Sequence, residues 1–417
     1  MKHARQNKGA VVATRATLDS ATAVARFAGF SLIELMISMA IGLIVTLAIT
    51  SVMIRSESNK RTSTSVNDVN QNGAFITYTL DRNLRNAGSG FAQSWSLGAF
   101  GCRLDITASG VRLLPRPAAF PISSAFVNVP QTLRLAPVLI GKGMADTGTE
   151  VRGDVLFVMG GQAGGSEMPM PVTPGSITSN NFRMANSLGY RTGDVVLLMD
   201  PAVSSGCLLQ QVAWSGSGTG STDQNIPLGG TYSSAAGTNV SLTNFGGSTL
   251  AAQFGNPANN PPMFQLFGVG ANSSFFTYDL MQPSGSTADI TLSDGVVEMR
   301  ALYGLDTTNP PDGVIDSWMN PVVGSGYDHA TLNDGSTSSQ AKIRQIVAVR
   351  VGFIMRTNLP EKTTDITQPA GTALNLFSDL GSALTQTRTL SASELSYRFR
   401  TIEIIVPLPN VLLAPQL

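Results

Sequence analysis

Histidine and cysteine are almost absent from this chain, with 2 of each in 417 residues. Two cysteines, Cys102 and Cys207, cannot build a structural zinc cluster alone, and they lie too far apart for a CxxC redox pair. A single bridge is their natural use, with two buried thiols as the alternative. His3 and His329 leave no room for histidine-rich metal chemistry. Net charge is missing too: 27 Lys+Arg balance 27 Asp+Glu, and charged residues make up 13% of the chain. No basic field exists to attract nucleic acid, so a nucleic-acid partner is not expected. No GxSxG elbow, P-loop, HExxH or dinucleotide fingerprint occurs. Gly216-Ser-Gly218-Thr-Gly220 and Gly268-Val-Gly270 are incomplete as phosphate loops. His329 beside Asp328 is half of a catalytic pair at most, and a solvated loop histidine is the expected reading. The chain does not read as an enzyme.

What is present is concentrated at the start. Residues 1–29 carry Lys2, Arg5, Lys8, Arg15 and Arg26 against Asp19 alone, the charge bias of a segment held in the cytoplasm. From Phe30 to Ile54 the run FSLIELMISMAIGLIVTLAITSVMI holds one charge, Glu34, and no proline. As a helix it would measure about 37 Å, enough to cross a bilayer. A secretory signal wants a shorter core and a small-x-small cleavage site, and this run ends in Arg55-Ser-Glu57. A transit peptide leaves the membrane-length segment unexplained. A plain anchor leaves unexplained a carboxylate four residues into the apolar run, where charge is costly and usually functional.

Beyond Arg55, Val66, Val69, Gly73, Ile76, Leu80, Leu84 and Ala87 recur three or four apart, one stripe of an amphipathic helix, with Gly88 and Gly90 to stop it. The helix from Phe30 to about Ala87 would reach roughly 87 Å if unbroken. After residue 90 the chain reads as β. Candidate strands are Asp154–Met159, Asp194–Met199, Phe275–Leu280, Val296–Tyr303, Ile346–Met355 and Phe399–Val406. Alternation in Val347-Ala-Val349-Arg-Val351-Gly-Phe353 predicts a sheet with one buried face. From 215 to 262 Gly, Ser, Thr, Asn and Pro dominate and strand signals fade, predicting a long loop or insertion. Asp306, Asn309, Asp312 and Asp316 cluster around Gly313, a candidate calcium loop whose spacing misses the EF-hand pattern; an ordinary turn would use the same residues.

Gly29-Phe30-Ser31-Leu32-Ile33-Glu34-Leu35-Met36 resembles the type IV prepilin motif. The resemblance implies cleavage by a prepilin peptidase after Gly29, N-methylation of Phe30, and a Glu34 carboxylate that meets a neighbouring subunit's amino terminus. Downstream, Gln71–Phe75, Leu80–Gly88, Phe100-Gly101-Cys102, Gly193–Asp200 with Cys207, Leu302–Asp306, and Tyr397–Arg400 through Leu408 resemble, in order, PilW-type minor pilins. Segments 213–290 and 317–340 carry none of these motifs. Major pilins commonly break this helix with a proline; here Leu47–Ser51 stands at that place, and Gly42 is the one weak point.

The resemblance implies an α+β, pilin-like fold: a long N-terminal helix packed on a mainly antiparallel β-sheet head with long loops. The expected organisation is leader 1–29, membrane or filament-core helix 30–54, amphipathic half 55–88 and periplasmic head 89–417. The implied function is initiating or capping a type IV pilus, with other minor pilins, the major pilin and the inner-membrane assembly machinery as partners and a tip adhesin as a further candidate. A type II secretion pseudopilin and an adhesin module, with 215–262 as the binding loop, are the alternatives. The subunit would sit in the inner membrane, head outward, and then in a surface pilus. An oxidising periplasm favours the Cys102–Cys207 bridge.

Overall fold

The computed structural model describes residues 29–162, 168–201, 206–214, 224–237, 240–282, 288–361 and 372–414. The leader residues 1–28 and parts of the 215–262 segment lie outside them. Two compact units divide the chain at Arg61/Thr62.

In the first unit a helix begins at Leu32, and no residue from Gly29 to Arg61 is buried. Its apolar stretch is long enough, by length and composition, to cross a membrane. The helix runs to Asn86.

The second unit starts on the amphipathic part of that helix, which buries Ser65, Val69, Gly73, Ile76, Leu80 and Leu84. This is the expected stripe with one correction. Val66 is exposed and Ser65 takes the buried position, because the stripe follows the i, i+4 row at its start. The stripe lies on a four-stranded antiparallel sheet ordered Ser317–Met319, Val296–Leu305, Ile346–Arg356, Phe399–Pro407. Gly73 is the closest approach, its missing side chain leaving room for Ile402 and Met355. The helix stops where expected, with Gly88 and Gly90 both at φ 82°. Its terminal carbonyls are not left bare. Asn410 Nδ2 donates to the carbonyls of Arg85 (3.3 Å) and Ala87 (3.0 Å), and the Gly88 amide donates to Met159 O at 2.9 Å.

Two further sheets complete the head. A five-stranded sheet runs Ile290–Asp294, Ser274–Asp279, Met263–Gly270, Val155–Gly160, Val138–Gly141. A six-stranded sheet runs Val111–Leu114, Leu104–Ala108, Cys207–Gln211, Val195–Met199, Leu250–Gly255, Met170–Pro171. Pairing is antiparallel except between Leu104–Ala108 and Cys207–Gln211. The α+β layout is therefore the expected one, and each of the six candidate strands is present within two residues of its expected ends.

Two expectations are corrected. The Ile346–Arg356 strand is buried at every position but the last, so its sheet has two covered faces. Val349, Val351, Phe353 and Met355 join the core shared with the helix, whereas Ile354 joins Leu374, Leu376 and Phe377 on the other side. The positions that read as solvent-facing are covered by exact chemistry of pairing. Arg350 binds Asp379 through both terminal nitrogens (2.9 and 2.6 Å) and Glu403 at 2.6 Å, and Gly352 leaves space for Leu376 and Phe377. Nor is 215–262 simply an exposed loop. Leu250–Gly255 pairs with Val195–Met199 inside the six-stranded sheet, and Ala251, Ala252 and Phe254 are buried.

The four- and five-stranded sheets are joined at Met299. Its amide donates to Arg152 O (3.1 Å) and its carbonyl accepts from the Asp154 amide (2.8 Å). Asp154 is wholly buried, accepting from the amides of Gly143 (3.0 Å) and Ala301 (2.9 Å) and flanked by Lys142 and Arg300, each at 3.3 Å. Between them Gly153 sits at φ 100° with no space for a Cβ against the Met299 carbonyl. Gly153→Ala is expected to cost about 2–4 kcal/mol, combining left-handed backbone strain with displacement of the seam; chemical denaturation of the variant measures it, and a change under about 1 kcal/mol would refute the constraint.

Candidate functional site

Ser31 caps the first helix. Its Oγ accepts from the Glu34 amide at 3.2 Å, placing Glu34 at the third helical position, so Ser31-x-x-Glu34 has capping-box spacing. The spacing is readable in the sequence and gives Ser31 a role that the motif resemblance alone does not. A carboxylate in the first turn also lies at the positive end of the helix dipole.

The hydroxyls farther along are satisfied by the helix itself. Ser38 donates to Glu34 O (2.9 Å), Thr46 to Gly42 O (3.0 Å), Thr50 to Thr46 O (2.7 Å) and Ser51 to Ala48 O (2.7 Å). Such back-bonding makes a hydroxyl tolerable where no water is available. Glu34 is the exception: among the described residues its carboxylate has no hydrogen-bond or ionic partner. Gly29 and Phe30 precede the helix and are exposed, Phe30 with 81% of its surface open.

The cysteines are joined, Cys102 to Cys207, with Cα atoms 5.7 Å apart. The bond lies where the one parallel strand pair begins, Leu104 opposite Cys207. Parallel neighbours need a long crossover, and here the link closes a separation of 105 residues. Breaking it with Cys207→Ala, or by reduction, is expected to cost about 3–5 kcal/mol on the chain-entropy account. Melting curves with and without reductant check this, and coincident curves would exclude a stabilising bridge.

The candidate calcium residues accept hydrogen bonds within their own loop. Asp306 accepts from the Gly313 amide (2.7 Å) and Asp312 from the Val314 amide (2.9 Å). Asp316 accepts from the amides of Thr307 (2.7 Å) and Thr308 (3.1 Å) and from both hydroxyls. The Thr307 amide, followed by its hydroxyl, holds the Asp316 carboxyl below its ordinary range. Asn309 contributes no ligand to a shared centre, and no group of three or more His, Cys, Asp or Glu placed to hold a metal occurs among the described residues.

His329 is a further correction, being buried rather than solvated. It opens the short helix His329–Leu332, capped by Asp328 through the Thr331 amide (3.1 Å), and lies against the Phe157 ring at 4.8 Å. Both Asp328 oxygens are engaged with Thr331, so no Asp–His pair forms. Burial pushes the imidazole pKa down to about 4, against a smaller upward pull from Asp328. Because the folded value lies below the unfolded one, the unfolded chain binds more protons between pH 6.5 and 4, and stability falls with pH across that window. The contribution is about 3 kcal/mol at full extent. His329→Leu is expected to flatten stability against pH in this range relative to wild type; parallel pH curves for the two proteins would contradict it.

A long apolar helix leading into an amphipathic half on a mostly antiparallel sheet is consistent with an α+β, pilin-like fold. A model of the prokaryotic N-terminal methylation motif matches residues 25–50, and the PilW model, described as Type IV Pilus-assembly protein W, matches residues 268–410. Together these matches support a type IV pilus minor pilin of the PilW family. The second match takes in the Leu302–Asp306 and Tyr397–Leu408 motifs, whereas Gln71–Cys102 and Gly193–Cys207 fall outside both. No curated protein and no solved structure matches the chain. Domains of this kind are structural rather than catalytic, and the methylation motif with its apolar helix fits a pilus subunit anchored in the membrane.

Proposed function

We propose that this protein is a minor pilin that joins other minor pilins to initiate or cap a type IV pilus. It enters the inner membrane with residues 1–29 in the cytoplasm and the head in the periplasm, is cut by the prepilin peptidase between Gly29 and Phe30, and is methylated on Phe30. The helix from Phe30 to Ile54 then leaves the bilayer for the filament core with the help of the assembly machinery, and the head contacts sibling minor pilins and the major pilin.

The observation that carries this reading is the Glu34 carboxylate, without a partner among the described residues, in an apolar stretch whose later hydroxyls, Ser38, Thr46, Thr50 and Ser51, are bonded to the helix's own carbonyls. A carboxylate in an apolar medium is tolerated when a fixed cation compensates it. The new amino terminus of a neighbouring copy of the same helix type supplies that cation, and pairing of the two sets the axial register between subunits. A secretion pseudopilin would share the N-terminal chemistry; the PilW match over the C-terminal third favours the pilus.

Glu34→Ala is expected to be processed normally yet to fall at least tenfold in sheared pilus fractions, while Gly29→Ala accumulates as precursor. N-terminal sequencing and immunoblots of membrane and pilus fractions read both. Wild-type incorporation of Glu34→Ala would remove the charge pairing, and normal maturation of Gly29→Ala would remove the cleavage assignment.

A further inference from the structure

A cleft of about 670 Å³ opens in the head where the Thr149–Arg152 loop meets the start of the Val296–Leu305 strand, Arg356, and the chain following the Gln386–Thr389 strand. Its size is that of a small-ligand site, yet its lining is mostly polar, made of hydroxyls, four guanidinium groups and the carboxylates of Glu150, Glu298 and Glu394. Thr149, Ser273, Thr387, Thr389, Ser391 and Ser393 all border it.

The charges around it are unevenly paired. Arg152 pairs with Glu150 (2.7 Å), and Arg300 with Glu298 (2.5 Å) and Asp154 (3.3 Å). Arg388 bridges Glu298 and Glu394, each at 2.7 Å. Lys142 takes the remaining side of Asp154. Four carboxylates thereby engage four cations, and Arg356 is the fifth. Its guanidinium lies 4.4 Å from the centre of the Tyr397 ring and, among the described residues, has no carboxylate. A second guanidinium is incompletely used: Arg152 has 7% of its surface exposed, and its Nη1 lacks a hydrogen-bond partner. Asn272 and Ser273, also at the cleft, hold φ of 60° and 54°, a conformation uncommon for serine and less so for asparagine.

We propose that this cleft binds a carboxylate-bearing, polyhydroxylated ligand, the chemistry of a uronic-acid saccharide. Arg356 offers a planar fork that matches a carboxylate in bidentate fashion, and its stacking on Tyr397 holds the fork in place. The surrounding hydroxyls pair with the ligand's own, and Arg356, the cation without a direct carboxylate partner among the described residues, sets a preference for a monoanionic unit. A concave, hydroxyl-lined site suits a saccharide better than the flat, apolar-centred contact of a protein partner. This binding is independent of the assembly role proposed above.

The test is calorimetric titration of the full-length protein in detergent with trigalacturonate at low salt. Saturable binding is expected, at least tenfold weaker for the methyl-esterified trimer and for Arg356→Gln, partly restored in Arg356→Lys, and reduced severalfold in Thr389→Val. A melting temperature for Arg356→Gln near that of wild type shows that the fold survives; should that variant not fold, Thr389→Val and the ester comparison decide. Equal affinity for acid and ester, unchanged affinity in a folded Arg356→Gln, tighter binding of hexaglutamate or of inorganic phosphate, or no saturable binding would each overturn the proposal.

Discussion

The head is organised around the contact between one helical stripe and one sheet. Ser65, Val69, Gly73, Ile76, Leu80 and Leu84 form a narrow band, and the only glycine among them is placed where Ile402 and Met355 come closest. The sheet that receives this band has a second covered face, so its central strand is buried on both sides and cannot shift register without exposing one set of residues. Arg350 follows from the same constraint: a cation on the second face of a fully covered strand has to be paired, and Asp379 and Glu403 pair it.

The two compact units obey different rules. Between Ser38 and Ser51, hydroxyls are satisfied locally, each donating to a backbone carbonyl one turn back, as an apolar medium would require. After Thr62 polar groups are satisfied over long sequence distances, as with Asp154 between Lys142 and Arg300 or Asn410 at the helix end. Glu34 fits neither rule, which distinguishes it from the other polar residues of the apolar stretch 31–54.

Much of this was legible in the sequence. The membrane-length run, the stripe, the glycine stop and six strands were marked by periodicity and by β-branched or aromatic residues. Strands such as Leu250–Gly255 were not, because LAAQFG carries no β-branched residue and is held in place by its neighbours rather than by its own preference. Arg350 and Gly352 read as a solvent face because the residues that cover them lie more than twenty positions away. His329 read as a loop residue since Gly326-Tyr327 precede it; the Phe157 ring that buries it is distant in sequence. At the N-terminus the family motif drew attention to Glu34, while the capping role of Ser31 was visible in the same eight residues.

The capping of the long helix by Asn410 has a consequence for how the protein is made. The helix leaves the ribosome well before the strand it rests on, Phe399–Pro407, and the amide that closes its last turn, 325 residues separating Arg85 from Asn410. At about 5–20 residues per second of synthesis, the apolar stripe waits roughly 16 to 65 s for its sheet. Until then the stripe has no sheet to cover it, and closure of this contact waits on the Phe399–Pro407 strand and Asn410.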